Sequence, residues 1–320
     1  MTITAGPSSG EPMEAVVPLD LAGERLDRAL GQVFPQFSRG RLQVWLRDGR
    51  ALVDGRAGRP SERVRGGERI ALSGVDAPGA SPEWAADPIA LHIVHADTDV
   101  VVVDKPAGLV THPGAGNPRG TLANALLHRF PELAAVPRAG VVHRLDKDTS
   151  GLLVVARSLP AHAALVAAIK ARAVRREYLA VVHGRPPASG VVDAPIGRHP
   201  TLRTRMAVVA AGRDARTHFR VIRELPGHAV LALRLESGRT HQIRVHMAHL
   251  GHPLVGDPTY AGRSARRGAT RLDRQALHAT RLAFEHPASG EALAFESPPS
   301  SDIVALIDDL ACVEAREDRR

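Results

Sequence analysis

Residues 141–156 read VVHRLDKDTSGLLVVA. The segment is apolar at both ends and charged in the middle, a pattern that predicts a strand, a loop and a second strand. Its centre, HRLDKDTSG at 143–151, is the densest polar cluster in the chain, and four readings compete for it. In a calcium loop, Asp146, Asp148, Ser150 and Gly151 would hold positions 1, 3, 5 and 6, but position 12 is Arg157 instead of glutamate and the flanks are strand-like. An aspartyl-phosphate phosphatase wants two aspartates two apart after an apolar strand. Here His143 and Arg144 interrupt that strand, and no magnesium-binding acidic pair follows. A solvated hairpin loop is the bland reading, since exposed loop charges are usually hydrated. The fourth is an aspartate acting as nucleophile or general base beside RNA, held ionised by a cation. Arg144 and Arg239 are both candidates for that cation, and sequence distance does not choose between them.

Outward from this loop the texture stays mixed. LHIVHADTDVVVVDKPAGLVTHP at 91–113 predicts two strands and a turn, and TLANALLHRF at 121–130 a helix. A second helix is predicted for LPAHAALVAAIKARA at 159–173, then strands for REYLAVVHG at 176–184, THFRVIRE at 217–224 and HAVLALRLES at 228–237. GRTHQIRVHMAHLG at 238–251 reads as a loop feeding a helix, LHATRLAFEHP and ALAFESP as closing strands, and SDIVALIDDLA as a last helix. The order is no regular β-α-β alternation and shows no internal repeat. It predicts an α+β fold with a mixed, largely antiparallel sheet over residues 89–312.

Nearer the N-terminus, residues 1–15 are rich in Gly, Ser, Pro and Glu and read as disordered. Residues 16–73 read as a small α/β unit. It has helices at 24–33 and 38–47, with Ser38 as N-cap, and short strands around the Asp54-Gly55 turn. Residues 74–88 read as a linker and 313–320 as a charged tail.

The formal net charge is +8, and only Lys105, Lys147 and Lys170 among the 42 Lys and Arg residues are lysine. An arginine and alanine bias fits a GC-rich genome; the cation excess also favours a polyanion such as nucleic acid. From Glu24 to Ile70 eleven arginines face six acids, which marks the small unit as basic. Cys312 is the sole cysteine, so an intrachain disulfide and a cysteine metal cluster are excluded. The N-terminus lacks a basic start followed by an apolar run, and no stretch is apolar enough to span a bilayer. The expectation is a cytoplasmic protein with no membrane partner.

HRLDKDTSGLLVVA resembles the signature of the RluA family of pseudouridine synthases. So do, in family order, HPGAGNPRGTLANALLH at 112–128, VPRAGVVHRLDKDTSG at 136–151, RREYLAVVHG at 175–184, IGRHPTLRTRMAV at 196–208, LESGRTHQIRVHMAHLGHPLVGDPTYAG at 235–262 and DRQALHATRLAFEHP at 273–287. Residues 24–70 resemble the S-four-like RNA-binding domain that precedes this catalytic domain. Within the family the likeness is greatest to the enzymes of large-subunit (23S) ribosomal RNA, which implies uridine-to-pseudouridine isomerisation of that RNA, alone or in a pre-ribosomal particle.

The resemblance implies roles residue by residue. Asp146 is the catalytic aspartate, Tyr178 the tyrosine that stacks on the target uracil, and Arg239 the arginine paired with the carboxylate. Arg144 is the arginine that in relatives enters the space left by the flipped nucleotide. His143, Thr240, His241, Gln242 and Arg244 are carried over as substrate-binding. Ser150 stands where threonine is common. Arg39 and Arg41 in the small unit and Arg266 and Arg267 in the basic loop GRSARRGATR are expected to contact RNA. The chemistry breaks the glycosidic bond and remakes it at carbon 5, after Asp146 attacks the ribose or takes a proton from it. No cofactor is implied, and a monomer is expected. His241, His246, His249 and His252 invite a zinc reading, but HExxH and neighbouring acids are absent, so no metal is expected.

Overall fold

The computed structural model of the chain describes residues 12–35, 37, 39–73, 84–114, 116–202, 204–262 and 272–317. The chain divides into two compact units, 1–85 with 130–139 and 86–129 with 140–320. Ser38, Arg266, Arg267 and the Arg39 side chain fall outside the described residues.

In the first unit β1 (Met13–Val16), β2 (Ala51–Val53), β3 (Arg56–Ala57) and β4 (Arg69–Leu72) form an antiparallel sheet in the order β1-β4-β2-β3. Residues 13–15, expected to be disordered, therefore pair with β4, Met13 opposite Leu72. Helices α1 (Leu26–Val33) and α2 (Arg39–Arg47) bury Leu26, Leu30, Leu42 and Leu46 against that sheet's Val53, Ile70 and Leu72. Arg41 lies over the Trp45 ring, 4.9 Å from its centroid, and 5.9 Å from that of Phe37.

The second unit is built on a nine-stranded sheet. Its strands are β5 (His92–Ala96), β6 (Val100–Lys105), β7 (Ser150–Ala156), β8 (Arg175–His183), β9 (Ser189–Asp193), β12 (Arg216–Leu225), β13 (His228–Leu235), β14 (Leu277–Glu285) and β15 (Ala292–Glu296). A separate hairpin pairs β10 (Ile196–Arg198) with β11 (Met206–Val208). The helices are α3 (Leu122–Arg129), α4 (Leu159–Lys170), α5 (Gln242–His249) and α6 (Ser301–Glu317). Residues 313–317, expected in a tail, continue α6. One sheet face packs Val100, Val102, Leu152 and Val154 with Ala161 and Leu165 of α4; Ile303 and Leu306 of α6 join Val181 and Val230 in another cluster.

The sheet order is β5-β6-β7-β14-β8-β13-β12-β9, with β15 added to β14. Every pairing is antiparallel except β7 with β14. This agrees with a mixed, largely antiparallel sheet. The parallel contact is confined to His278–Ser150 and Ala279–Gly151, after which the two strands part. Gly151 sits there at φ 111°, and a Cβ on it would strike the Ala279 backbone, so no other residue permits so close an approach. Beyond that point β14 takes β15 as its neighbour, while Val141 bridges Val155 and the Val154 amide donates to His143 Nε2. Residues 141–142 were expected to form a full strand; they make one bridge because they only fill the gap where the sheet splays. The polar loop that follows is thereby delivered into the splay.

Candidate active site

The loop after Val141 is held from behind at successive carbonyls. Thr111 Oγ1 donates to Leu145 O at 2.7 Å, Lys105 Nζ to Lys147 O at 2.9 Å, and Arg274 Nη1 to Asp148 O at 3.0 Å. The Thr149 amide closes onto Asp146 O, and Gln275 Nε2 donates to Thr149 Oγ1. Every carbonyl from 145 to 148 thus has a partner, which fixes the backbone beneath Asp146. Lys105 is fully buried, and its other two donors go to Pro106 O and Leu109 O. Burial lowers its ammonium to about 7, against the pull of Asp148 and Asp146.

The Asp146 side chain is 15% exposed. Its Oδ2 accepts a hydrogen bond from Arg244 Nη1 at 3.2 Å. Arg244 projects from α5 and is gripped on its far side by Asp257, with Nε to Oδ2 at 2.7 Å and Nη2 to Oδ1 at 2.9 Å. That fork is the strong bidentate geometry. Asp257 is fully buried and also accepts from the Thr259 and Tyr260 amides. Burial opposes the charge on Arg244, but the Asp257 bond and the two carboxylates outweigh it and hold the guanidinium above its ordinary pKa. Asp257 is held below the usual carboxylate range, because Arg244 and the two amides outweigh its burial. Tyr260 stacks under Arg244, its ring centroid 5.1 Å from Cζ.

The structure corrects the expected partner of Asp146. Arg239 does not reach it; its Nε donates to Asp214 O at 3.0 Å, and burial with the neighbouring Arg213 lowers its pKa. The reason lies at His241, the residue before α5, which adopts the left-handed conformation at φ 57°. The chain turns there, leaving Arg239 on the outside and turning Arg244 inward. His241 Nδ1 lies 2.8 Å from Tyr260 Oη, and its Nε2 is 4.0 Å from Asp146 Oδ1. Burial lowers its imidazole, against the pull of Asp146.

Tyr178 lies on β8, 6% exposed, opposite Leu233 and Ala279. Burial raises its phenol, and the Asp146 charge acts in the same direction. Of the residues expected to bind substrate, Arg144 and Thr240 are exposed. His143 is enclosed behind the loop, where burial, then the charge of Arg176, pushes its imidazole down to about 3. Gln242 turns inward, accepting from Ser237 Oγ and the Arg239 amide and donating to Arg216 O and Thr217 Oγ1. It braces the loop instead of facing the site.

Sequence reading missed Lys105, Thr111, Asp257 and Arg274. Lys105 had one signal, a lone lysine ending the apolar strand VVVVDK. Asp97, Asp99 and His286 group three metal-capable side chains, yet Asp97 is already engaged by the Asp99 and Val100 amides and by His95. No helix among the described residues is long and apolar enough to cross a membrane.

Residues 99–249 match the sequence family described as RNA pseudouridylate synthase. The chain is 51% identical to ribosomal large subunit pseudouridine synthase D of Xanthomonas campestris pv. campestris, an alignment covering 96% of this chain and 97% of that protein. It is 49% identical to the protein of the same name in Pseudomonas aeruginosa, over 92% and 94%. Among solved structures, human RNA pseudouridylate synthase domain containing 1 superposes with a TM-score of 0.54 at 30% identity, over 67% of this chain and 85% of that one.

Proposed function

The chain belongs to the family of RNA pseudouridylate synthases, and on that premise we propose that it isomerises uridines of the large-subunit ribosomal RNA with Asp146 as the group that acts on the ribose. The supporting observation is the chain of contacts Asp146–Arg244–Asp257. Asp257 fixes the guanidinium, and the guanidinium holds one oxygen of Asp146. The other oxygen, Oδ1, accepts no hydrogen bond among the described residues and is left to reach the substrate. A carboxylate presented this way can attack the anomeric carbon or take a ribose proton.

Tyr178 supplies the aromatic surface on which the extruded uracil stacks, and unstacking that base from its helix costs roughly a few kcal/mol. Arg144, exposed in the same loop, would occupy the vacated stack. His143, Thr240, His241 and Gln242 shape or brace the pocket. The glycosidic bond is broken and remade within one nucleoside, so no electrons are transferred and the reading requires neither metal nor cofactor.

In this reading the first unit, whose sheet begins at Met13, is an S-four-like RNA-binding domain, and the second, whose last helix runs to Glu317, is the catalytic domain of a cytoplasmic monomer. Support comes from the eleven arginines between Glu24 and Ile70 and from the two-helix, small-sheet architecture. Arg39, Arg41, Arg266 and Arg267 would meet the RNA backbone, strengthening binding in a salt-dependent way. The likeness to relatives named for the ribosomal large subunit sets the target.

The test uses a ribosomal RNA fragment tritiated at carbon 5 of uridine, because isomerisation releases that hydrogen. Asp146→Asn is expected to release none while binding the fragment as wild type does. Release near the wild-type rate by this variant would refute the role of Asp146.

A further inference from the structure

One cation in the catalytic unit has no place in the scheme above. Arg176 precedes Tyr178 by two residues on β8, so both side chains lie on the same face of the strand. It is only 5% exposed. Its Nε is buried with no acceptor, and no hydrogen bond or ion pair to its guanidinium is found among the described residues. Glu177 next to it turns to the opposite face and pairs with Arg175. Arg176 stands opposite Leu282 of β14. Its charge acts on His143, which burial already disfavours as a cation, and on Tyr178. Gly238 approaches it closely, since a Cβ at that position would sit 2.8 Å from Arg176 Nη1.

A guanidinium Nε–H taken out of water without an acceptor is costly, and folded proteins avoid it unless the acceptor arrives later. The neighbours of Arg176 say which partner. It sits beside the tyrosine on which the target base is proposed to stack, not on the open surface where a phosphodiester would pass. When the C1′–N1 bond breaks, its electron pair leaves with the base, and the negative charge spreads onto the ring carbonyl oxygens. That pair is returned when C5 bonds to C1′, C5 loses its proton and N1 regains one.

We propose that Arg176 is a catalytic residue that binds a carbonyl oxygen of the extruded uracil and stabilises the negative charge the base carries while detached from the sugar. This rests on the pseudouridine synthase reading above. A preformed donor aimed at developing charge in a dry site needs no reorganisation during the reaction, which is where such groups contribute most.

The experiment compares wild type, Arg176→Met and Arg176→Lys in single-turnover tritium release at saturating RNA, in RNA binding across a salt series, and in thermal unfolding without RNA. Arg176→Met is expected to slow release by about 100-fold or more and to leave Kd and its salt slope unchanged within about twofold. It is also expected to raise Tm by a few degrees, because an unpaired buried charge has been replaced by an apolar chain of similar length. Arg176→Lys should recover part of the rate by restoring the charge.

Three results would overturn the proposal. A Met variant that is fast at saturation shows that the charge is not used. One that melts lower or fails to fold shows Arg176 to be structural. One that binds more weakly with a flatter salt slope, yet reacts normally once saturated, identifies a phosphate as the ligand. A wild-type protein that releases no tritium sinks the functional reading itself, a result distinct from all three.

Discussion

Arg244 and Arg176 are both buried guanidiniums of the catalytic unit, 5% exposed in each case, and they are surrounded in opposite ways. Arg244 donates to two carboxylates, stacks on Tyr260 and has its charge reinforced. Arg176 has no acceptor among the described residues and stands beside a histidine it disfavours as a cation. One is completed by the protein. The other is completed, on the proposal above, by the base that enters. The difference teaches that burial alone does not assign a role to a cation: the acceptors around it divide scaffold from ligand site.

The sharpest way to break the comparison is Arg244→Met. Removing this guanidinium leaves Asp257 buried with two backbone amides and no counter-charge, which should cost about 3–5 kcal/mol of stability. Urea unfolding of the free protein reads the loss directly, and tritium release should vanish with it. Arg176→Met is expected to move stability the other way. Two variants destabilised alike would erase the distinction.

Lys105 gives an intermediate case, with three carbonyl acceptors but no carboxylate in contact. Its ammonium titrates at about 7 in the folded chain, against 10.5 ordinarily. Between those values the unfolded chain holds a proton that the folded one has released. Stability due to this group therefore rises with pH across that window, and is lost as pH falls through about 7. Urea midpoints of wild type and Lys105→Met, each taken near pH 7 and again at about pH 9.5, isolate the effect. Wild type should gain on the variant at the higher pH; parallel behaviour would mean that Lys105 stays charged throughout.

Much of this was legible in the sequence because alternation and apolar runs survive in the strands that carry the core. β5 to β8, β12 to β15 and all four helices of the catalytic unit lie where their patterns put them. The three-residue strands β10 and β11 carried too few residues to show a period, β9 (SGVVD) holds only two apolar side chains and they are adjacent, and β1 was obscured by its polar neighbours. Residues 141–142 look like a strand in sequence and make a single bridge, because the parting of β7 from β14 is a tertiary event. At the site, the loop bearing Asp146 and the strand bearing Tyr178 stood out. The clamp did not: Thr111, Lys105 and Arg274 come from distant segments, and their work is to reach carbonyls, which leave no mark in a sequence.

The hardest residue to read was the cation beside Asp146: the sequence offered Arg144 and Arg239, and Arg244, five residues after Arg239 in GRTHQIR, holds the carboxylate. Spacing places Arg239 and Arg244 near the start of one helix, and only the left-handed turn at His241 separates them. Arg239 keeps one bond to a backbone carbonyl and borders solvent, so Arg239→Ala should change stability by less than about 0.5 kcal/mol and leave tritium release within a few-fold of wild type. This is the smallest effect expected, and it is informative for that reason. Had the Asp146 carboxylate been held by Arg239, its loss would match that of Asp146→Asn. A large drop in release with unchanged unfolding would mean that RNA draws Arg239 into the site on binding. The carboxylate would then have one guanidinium in the free enzyme and a second supplied by closure of the 236–241 loop.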